Sequence, residues 1–470
     1  MAKVEKQGNI LKFIILSLIG AFLFLIPIPH DGGFNIPLGI AISWLGDTLR
    51  LEDFDINALL AAIFIIASVL GTLVAWVFKP AFIMKNERLK EAFLSKPIYF
   101  ITKLVALFVI LIVYFDLGEG VAPVAGQHFL VYGFNWFVQA TYSMGGIMFG
   151  DLLLGLVPIF IILAFAVPLL TDFGIMEFVG VLIRKFIRKL FTLPGRASID
   201  MVASWFGSSA VAILITRDQQ EKGYYSGREA ANIAVNFAVV SLPFSLVVAG
   251  FIDLMDYFIW WYLVVLITCI VLGVIMPRIW PLKSLKDTYL TPKPAISEEV
   301  NTGSKFKEAV KLASGRASGT TAKDVGRSGI QFYINVFMDL FPIILAWGTL
   351  AMIVEAFTPF FAWISLPMEW LLNVFNIADA ASYAHITLVG FVDMFLPAIL
   401  LGPDSAFDMR FILGALSIVQ VIYLAETGAL IIKSKIPLGF GKLLVLFLIR
   451  TIIGLPIILF LSNIVFSFIL

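Results

Sequence analysis

The sequence is poor in the residues from which disulfides and metal centres are built. Its 470 residues include one cysteine and three histidines. The lone Cys269 excludes an intramolecular disulfide, and His30, His128 and His385 are too scattered to form a metal-binding motif. We therefore expect no cofactor and no metal site, and we interpret Cys269 and His385 as structural side chains.

Charge is also scarce. Only 14% of the residues are charged, 60% are hydrophobic, and the mean hydropathy is +0.98. Soluble domains are usually about 45–50% apolar and about 25% charged, and no single water-soluble core could bury this excess. The sequence therefore predicts an all-α polytopic protein in a lipid bilayer. The net charge of +1 provides no basic field for nucleic acid.

Enzyme signatures are missing as well. The chain has no phosphate-binding loop motif, which argues against ATP-driven transport within this chain. The stretch "FGSSA" lacks the paired glycines of a nucleophile elbow. We predict a protein that is not an enzyme and has no catalytic residues.

The sequence is rich in long apolar runs. A membrane-spanning helix needs about 20 largely apolar residues. The sequence predicts about nine such helices, near residues 10–28, 57–78, 97–115, 152–170, 228–250, 257–277, 330–354, 407–432 and 440–464. Lysine and arginine are concentrated in 79–96, 278–328 and 433–435 and are absent from 117–150, which places the basic segments and the N-terminus in the cytoplasm.

The chain also contains a weak internal repeat. After a three-span bundle at 1–150, a first unit at 151–277 and a second at 329–470 share one layout, and a cytoplasmic linker at 278–328 separates them. Each unit has a proline-containing span, an amphipathic stretch, a short broken apolar segment and two ordinary spans. The first amphipathic stretch is basic and the second is not, which indicates inverted topology, a common construction of secondary transporters.

The two short broken segments are predicted to be re-entrant helical hairpins. Residues 197–216 have charged residues on both sides, so this segment enters and leaves on one face, and Gly207, Ser208 and Ser209 supply its turn. Residues 380–405 form the partner, in which Gly390 and Pro397 bracket the tip. An ordinary single span containing a glycine is the alternative for the first segment.

Polar residues within the apolar segments are the candidate site. Ionisable groups are costly in a membrane, so a functional role is the first hypothesis for them. We assign ion coupling to Asp200, Asp393 and Glu426, with Arg450 a potential partner of Glu426. Solute binding is assigned to the hairpin serines Ser208 and Ser209 and to side chains on two helices, Asn232, Asn236, Gln420, Tyr423 and Thr427. Hydrogen bonding between helices is the alternative for the asparagine pair.

The stretch "GSSAVAILITRDQQEKGYYSGREAANIA" and the opening "FIILSLIGAFLFLIPIPHDGGFNIPLGI" resemble the YjiH-type membrane proteins, which carry the Gate, or nucleoside-recognition, domain. The resemblance covers nearly the whole chain, and Tyr225–Ala231 is its most specific part. It implies paired hairpins that hold solute and a coupling cation near mid-membrane, in two Gate repeats. Nucleoside transporters with this domain carry Gln-Thr-Glu at the first hairpin tip, where this chain has Trp205–Ser209.

These observations lead to one expected function and one rival. The expected function is secondary transport of a small polar organic solute, nucleoside-like or resembling a dipeptide or amino acid, coupled to Na⁺ or H⁺ across a bacterial inner membrane. The rival is a Gate-domain scaffold or assembly protein that transports nothing. A homo-oligomer is compatible with either.

Overall fold

The computed structural model describes residues 9–30, 33–51, 54–85, 93, 97–124, 128–206, 209–291 and 304–469. It confirms the prediction of an all-α protein, with about 78% of residues helical. Strands occur there only as two short antiparallel hairpins near the N-terminus, which pair Ile28–His30 with Gly33–Asn35 and Arg50–Leu51 with Phe54–Asp55.

The helices of the first half, in chain order, are α1 (Ile10–Leu25), α2 (Pro37–Leu49), α3 (Ile56–Val77), α4 (Ala81–Met84), α5 (Pro97–Tyr114), α6 (Phe129–Ile147), α7 (Leu154–Thr171), α8 (Ile175–Phe191), α9 (Ala197–Phe206), α10 (Ser209–Glu221), α11 (Gly227–Asn236), α12 (Leu242–Phe251) and α13 (Phe258–Ile275).

The helices of the second half are α14 (Lys305–Gly319), α15 (Ala322–Asn335), α16 (Phe341–Phe357), α17 (Phe360–Val374), α18 (Ala380–Ala384), α19 (Ile386–Val389), α20 (Leu396–Leu401), α21 (Phe407–Val419), α22 (Ala429–Lys433) and α23 (Phe440–Ile469). One π-helical turn, Met148–Leu153, joins α6 to α7, and Leu424–Gly428 forms another before α22.

Within the described residues, four helical segments are long and apolar enough to cross a membrane: Ile56–Val77, Phe129–Thr171, Met255–Arg278 and Phe440–Phe468. With the shorter apolar helices they support a multi-pass membrane protein. The segment from Phe129 differs from the sequence prediction, which had no span between residues 115 and 152. The first half of this segment is interrupted by Asn135, Gln139 and several glycines, which weaken its hydropathy signal.

The structure also corrects two spans that the sequence predicted as ordinary helices. The span predicted at 228–250 is broken between α11 and α12, where residues 237–241 are not helical. Pro243 near the start of α12 cannot donate to the helical hydrogen-bond ladder. The span predicted at 407–432 is broken after α21, where Val421 has the left-handed φ of 63°. We call residues 237–241 the first break and residues 420–423 the second break.

Both predicted hairpin regions contain a pair of short helices. In the first, α9 and α10 pack against each other, and their connection, Gly207–Ser208, lies outside the described residues. In the second, α19 and α20 pack against each other and flank the non-helical residues 390–395. Their entry into the membrane from opposite faces remains a prediction.

The described chain divides into two compact units. One comprises residues 40–164 and 327–364 and contains α3, α5, α6 and α16; the other comprises residues 1–39, 165–326 and 365–470. The second unit holds both hairpin regions and both helix breaks. The predicted division into a bundle and two repeats remains a prediction.

The linker is better packed than its polar composition predicts. Residues 283–325 have few large apolar side chains, which predicts poor packing, but α14 buries Ala309, Ala313 and Ala317 completely. Ala313 and Ala317 pack with Phe13 of α1 and with Phe173, because small side chains allow helices to approach closely. Residues 292–303 of the linker lie outside the described residues.

Candidate functional site

Arg450 of α23 joins the two helix breaks. Its side chain is completely buried, and its Nη1 donates to the Val235 carbonyl at 3.1 Å and to Asn236 Oδ1 at 2.7 Å. Its Nε and Nη2 donate to the Val419 carbonyl at 3.1 and 2.7 Å. Val235 and Asn236 end α11, and Val419 ends α21. One side chain therefore holds the C-terminal ends of both half-helices.

The asparagine pair belongs to the same network. Asn236 Nδ2 donates to Asn232 Oδ1 at 2.5 Å, and Asn232 Nδ2 donates to the Phe191 carbonyl at 3.5 Å. Both asparagines are buried. The predicted shared face of α11 is thus present, and Arg450 and the C-terminus of α8 fix the orientation of the two carboxamides. Their role in solute binding remains a prediction.

α11 begins with the helix-start signal expected from the sequence. Ser226 Oγ accepts from the Glu229 amide at 3.2 Å, and Glu229 Oε2 accepts from the Ser226 amide at 2.8 Å. This reciprocal pair is a capping box, which satisfies amides that the first helical turn leaves unpaired. The cap fixes the start of α11, and therefore the register that brings Asn236 to Arg450.

Tyr423 and Thr427 stabilise the second break from within. The Tyr423 hydroxyl lies 2.8 Å from the Ser417 carbonyl and 3.2 Å from the Val421 amide, so it can donate to the first and accept from the second. Thr427 Oγ1 accepts from the Tyr423 amide at 3.0 Å. Both side chains are completely buried. They satisfy backbone groups that the interrupted helix leaves unpaired.

Each hairpin contacts the break of the helix that follows it. In the first, Ser204 Oγ of α9 donates to the Val239 carbonyl at 3.3 Å. In the second, the Phe391 carbonyl accepts from the Leu424 amide at 2.7 Å. The same relationship occurs once in each predicted repeat.

The backbone bond from Leu424 to Phe391 is accompanied by a side-chain contact at the second break. Gln420 Nε2 donates to the Thr387 carbonyl of α19 at 2.7 Å and to Thr451 Oγ1 of α23 at 2.9 Å. Gly390 lies directly against Gln420 Oε1. Gln420 therefore connects the second hairpin, the second break and α23.

Three buried polar atoms around these breaks have no hydrogen-bond partner among the described residues. They are Oε1 of Gln420, Oγ of Ser241 at the end of the first break, and Nε1 of Trp205 beside the first hairpin turn. Gln420 was predicted from the sequence, whereas Ser241 and Trp205 were not assigned to the site. The signal for Ser241 was available, because a serine one residue before Leu242-Pro243 is typical of a helix start.

The predicted carboxylates occupy different environments. Asp393 is half-buried at the second hairpin tip, and its Oδ1 accepts from the Phe395 amide at 2.9 Å, just before α20. Asp200 of α9 is buried, and its Oδ2 accepts from the Tyr225 hydroxyl at 2.6 Å. Asp393 therefore lies at a hairpin tip, whereas Asp200 ties α9 to the segment before α11.

The remaining predicted residues are described only in part. Ser209 is buried at the start of α10. Ser208 and the side chain of Glu426 lie outside what the structure describes, so the predicted contact between Glu426 and Arg450 stays a prediction. A search of the described part of the chain finds no group of three or more His, Cys, Asp or Glu side chains that could hold a metal ion.

The geometry defines a helical membrane protein with two interrupted helices, each contacted by a pair of short packed helices. A family model described as Gate, nucleoside recognition, matches residues 153–255, which include the first hairpin and the first break. An uncharacterised protein of Alkalihalophilus pseudofirmus is 39% identical over 463 residues, covering 97% of this chain and 95% of that protein. The chain belongs to the same family as that protein and carries the Gate domain, which is consistent with a YjiH-type membrane protein.

One solved structure is also similar to this chain. It is a doubly substituted form of CNTnw, a concentrative nucleoside transporter, in an outward-facing state. The TM-score is 0.43 at 14% sequence identity, and the match covers 96% of this chain and 99% of that one.

Proposed function

We propose that the protein is a secondary transporter or permease for a small polar organic solute, nucleoside-like or resembling an amino acid or dipeptide. It would act across the inner membrane of a bacterium with its N-terminus in the cytoplasm. A cation, H⁺ or Na⁺, would bind near Asp393 or Glu426 and drive uptake. The observation that carries this proposal is that each helix break has a hairpin on it and a buried polar atom without a partner among the described residues.

The three unpartnered atoms suit a neutral polar solute. Trp205 Nε1 can only donate, Gln420 Oε1 can only accept, and Ser241 Oγ can do both. Leaving a buried polar atom without a partner costs roughly 1–3 kcal/mol, which a correctly placed solute would recover. A nucleobase and a peptide amide each present donors and acceptors side by side. The Gate match, with its description as nucleoside recognition, favours the nucleoside-like solute.

The half-helix starts support an acyl or other electron-rich group on the solute. α12 begins after Ser241, and α20 begins after Asp393. Helix N-termini carry partial positive charge, and interrupted helices of transporters direct them toward the substrate. A half-buried carboxylate at one of these starts supplies a negative charge for a coupling cation.

The test is uptake by the purified protein in proteoliposomes. Radiolabelled nucleosides, dipeptides and amino acids would be offered separately under an imposed pH gradient, an imposed Na⁺ gradient and no gradient. We expect accumulation of one solute class, and a weaker apparent affinity for it in Ser241→Ala. Asp404→Asn is the control, because Asp404 is exposed and lies outside the helix breaks. Its uptake should equal that of the wild type.

A scaffold would give a different result. A scaffold or assembly protein needs no unpartnered polar atoms at its helix breaks. Correctly folded protein that accumulates no solute of any class under any gradient would defeat the transport proposal and favour the scaffold. The same preparation would also report whether the protein forms a homo-oligomer, from its mass in detergent.

A further inference from the structure

Among the described residues, the hydrogen-bond partners of the Arg450 guanidinium are all oxygen atoms. Its donors contact two main-chain carbonyls, those of Val235 and Val419, and the side-chain oxygen of Asn236, at 2.7–3.1 Å. No ion pair to Arg450 is found among the side chains that the structure describes. A completely buried charge is costly unless groups of negative potential surround it.

The helix ends supply that potential. The carbonyls of Val235 and Val419 lie in the last turns of α11 and α21, where the chain then leaves the helix. The C-terminus of a helix carries about −0.5 of an elementary charge, concentrated on its unpaired carbonyls. Two such ends give about −1, which one guanidinium balances. The charge of Arg450 is therefore matched by backbone dipoles.

Dissolved cations bind to the same kind of oxygen cluster. In transporters with interrupted helices, unwound carbonyls and half-helix C-terminal ends coordinate Na⁺. We propose that Arg450 is a tethered cation: its guanidinium occupies the carbonyl site between the two helix breaks and replaces a dissolved ion there. The two half-helix ends then stay joined whether or not Na⁺ is present.

A tethered cation bears on ion coupling, a step that rests on the proposed transport function. If the guanidinium always fills the carbonyl site, the occupancy of that site cannot change with the Na⁺ concentration. Coupling then falls to a group that can gain and lose a proton, and Asp393 is the described carboxylate at a hairpin tip. We therefore expect uptake to respond to a pH gradient and to be equal in Na⁺ and choline.

The experiment compares two substitutions of nearly equal length that differ in charge. Arg450→Lys keeps a cation on a flexible stem, and Arg450→Met keeps the apolar stem alone. Thermal unfolding of the purified full-length protein would be followed in choline, Na⁺ and K⁺ chlorides, with and without millimolar methylguanidinium. We expect Arg450→Met to have a lower Tm than Arg450→Lys, and methylguanidinium or a metal cation to raise the Tm of Arg450→Met by about 2 °C or more.

The matched control is Arg217→Ala, which removes a guanidinium paired with Glu221 on an exposed helix face. Neither this variant nor the wild type should respond to methylguanidinium or to the choice of Na⁺ or choline. Equal Tm values for Arg450→Met and Arg450→Lys would overturn the proposal, as would Na⁺ and methylguanidinium both failing to stabilise Arg450→Met. If Arg450→Met fails to fold and Arg450→Lys folds, the result supports the proposal that the carbonyl site needs a positive charge.

The outcomes also separate the tethered cation from the proposed function. Absence of uptake under every gradient would count against transport but would leave the Tm comparison unaffected. Uptake that requires Na⁺ would uphold transport and place Na⁺ at the carboxylates, and the Tm comparison of Arg450→Met with Arg450→Lys would then decide the tethered cation alone.

Discussion

Gly390 of the second hairpin lies against the side-chain oxygen of Gln420, so closely that a Cβ on residue 390 would overlap that oxygen. Gln420 cannot move aside freely, because its Nε2 is bonded to the Thr387 carbonyl and to Thr451 Oγ1. The absence of a side chain at residue 390 therefore allows the hairpin to sit directly on the helix break.

The first prediction follows from this contact. Gly390→Ala should displace Gln420 and weaken its two hydrogen bonds, at a cost of roughly 1–3 kcal/mol in stability. We expect a lower Tm and reduced uptake. Gly441→Ala is the control, because a Cβ at residue 441 meets nothing within 4 Å. Equal Tm values for the two variants would show that the hairpin does not depend on this close approach.

The second prediction concerns the buried pair of Asp200 and Tyr225. The Tyr225 hydroxyl donates to Asp200 Oδ2 at 2.6 Å, and Tyr225→Phe would leave the carboxylate without that donor. We expect a loss of roughly 1–3 kcal/mol in stability. The double variant with Asp200→Asn should recover part of the loss, because the amide carries no charge. Thermal unfolding of both variants measures the difference, and additive losses would contradict a direct coupling.

The sequence predicted the positions of the two hairpin regions better than it predicted which distant residues contact each other. Gly207, Gly390 and Pro397 predicted two hairpins, because glycine and proline interrupt helices, and a pair of short packed helices occurs at each place. The second break was missed because a valine rarely adopts a positive φ, so Val421 gives no warning in the sequence.

The sequence also did not indicate which residues far apart in the chain form hydrogen bonds with each other. Arg450 was expected near Glu426, within the same repeat, yet its oxygen partners include Asn236, which lies 214 residues away. No pattern in a single sequence links two such positions, since helix periodicity relates residues only along one helix. The packing of α14 was missed because its alanines contribute little hydropathy, although they permit close helix contact.

The third prediction concerns the linker and pH. Burial raises the pKa of the Glu177 carboxyl on α8, and neighbouring Arg316 of α14 opposes the shift. A raised carboxyl pKa means that the folded state holds its proton more tightly than the unfolded chain does. Stability from this group is therefore present at low pH and is lost as the pH rises through the folded pKa. Glu177→Gln should raise the Tm at neutral pH and flatten its pH dependence.

The exposed Asp404 is again the control for that measurement, and Asp404→Asn should leave the pH dependence of Tm unchanged. An unchanged pH profile in Glu177→Gln would show that the contact between α8 and α14 does not respond to this carboxyl.

The fourth prediction separates binding from stability at the first break. Ser241 Oγ is buried without a partner among the described residues, so Ser241→Ala removes no hydrogen bond seen in the folded protein. We expect an unchanged or higher Tm, together with an apparent KM for the solute raised about tenfold, the effect of losing roughly 1.4 kcal/mol of binding. Ser245→Ala is the comparison, because Ser245 Oγ donates to the Ser241 carbonyl at 3.1 Å. If Ser245→Ala raises KM as much as Ser241→Ala does, the Ser241 hydroxyl has no specific role.

The last prediction concerns Asp393, whose Oδ1 accepts from the Phe395 amide at the second hairpin tip. Asp393→Asn keeps an oxygen that can accept this bond and removes only the charge. A carboxylate that serves the coupling proton should therefore be replaceable without loss of Tm but with loss of pH-driven accumulation. Solute exchange without a gradient should continue, because exchange moves no net proton. The measurement is uptake at several external pH values in proteoliposomes, beside exchange of preloaded solute. Full pH-driven accumulation by Asp393→Asn would remove Asp393 from the coupling site, and a lower Tm with intact pH dependence would make it a structural helix cap.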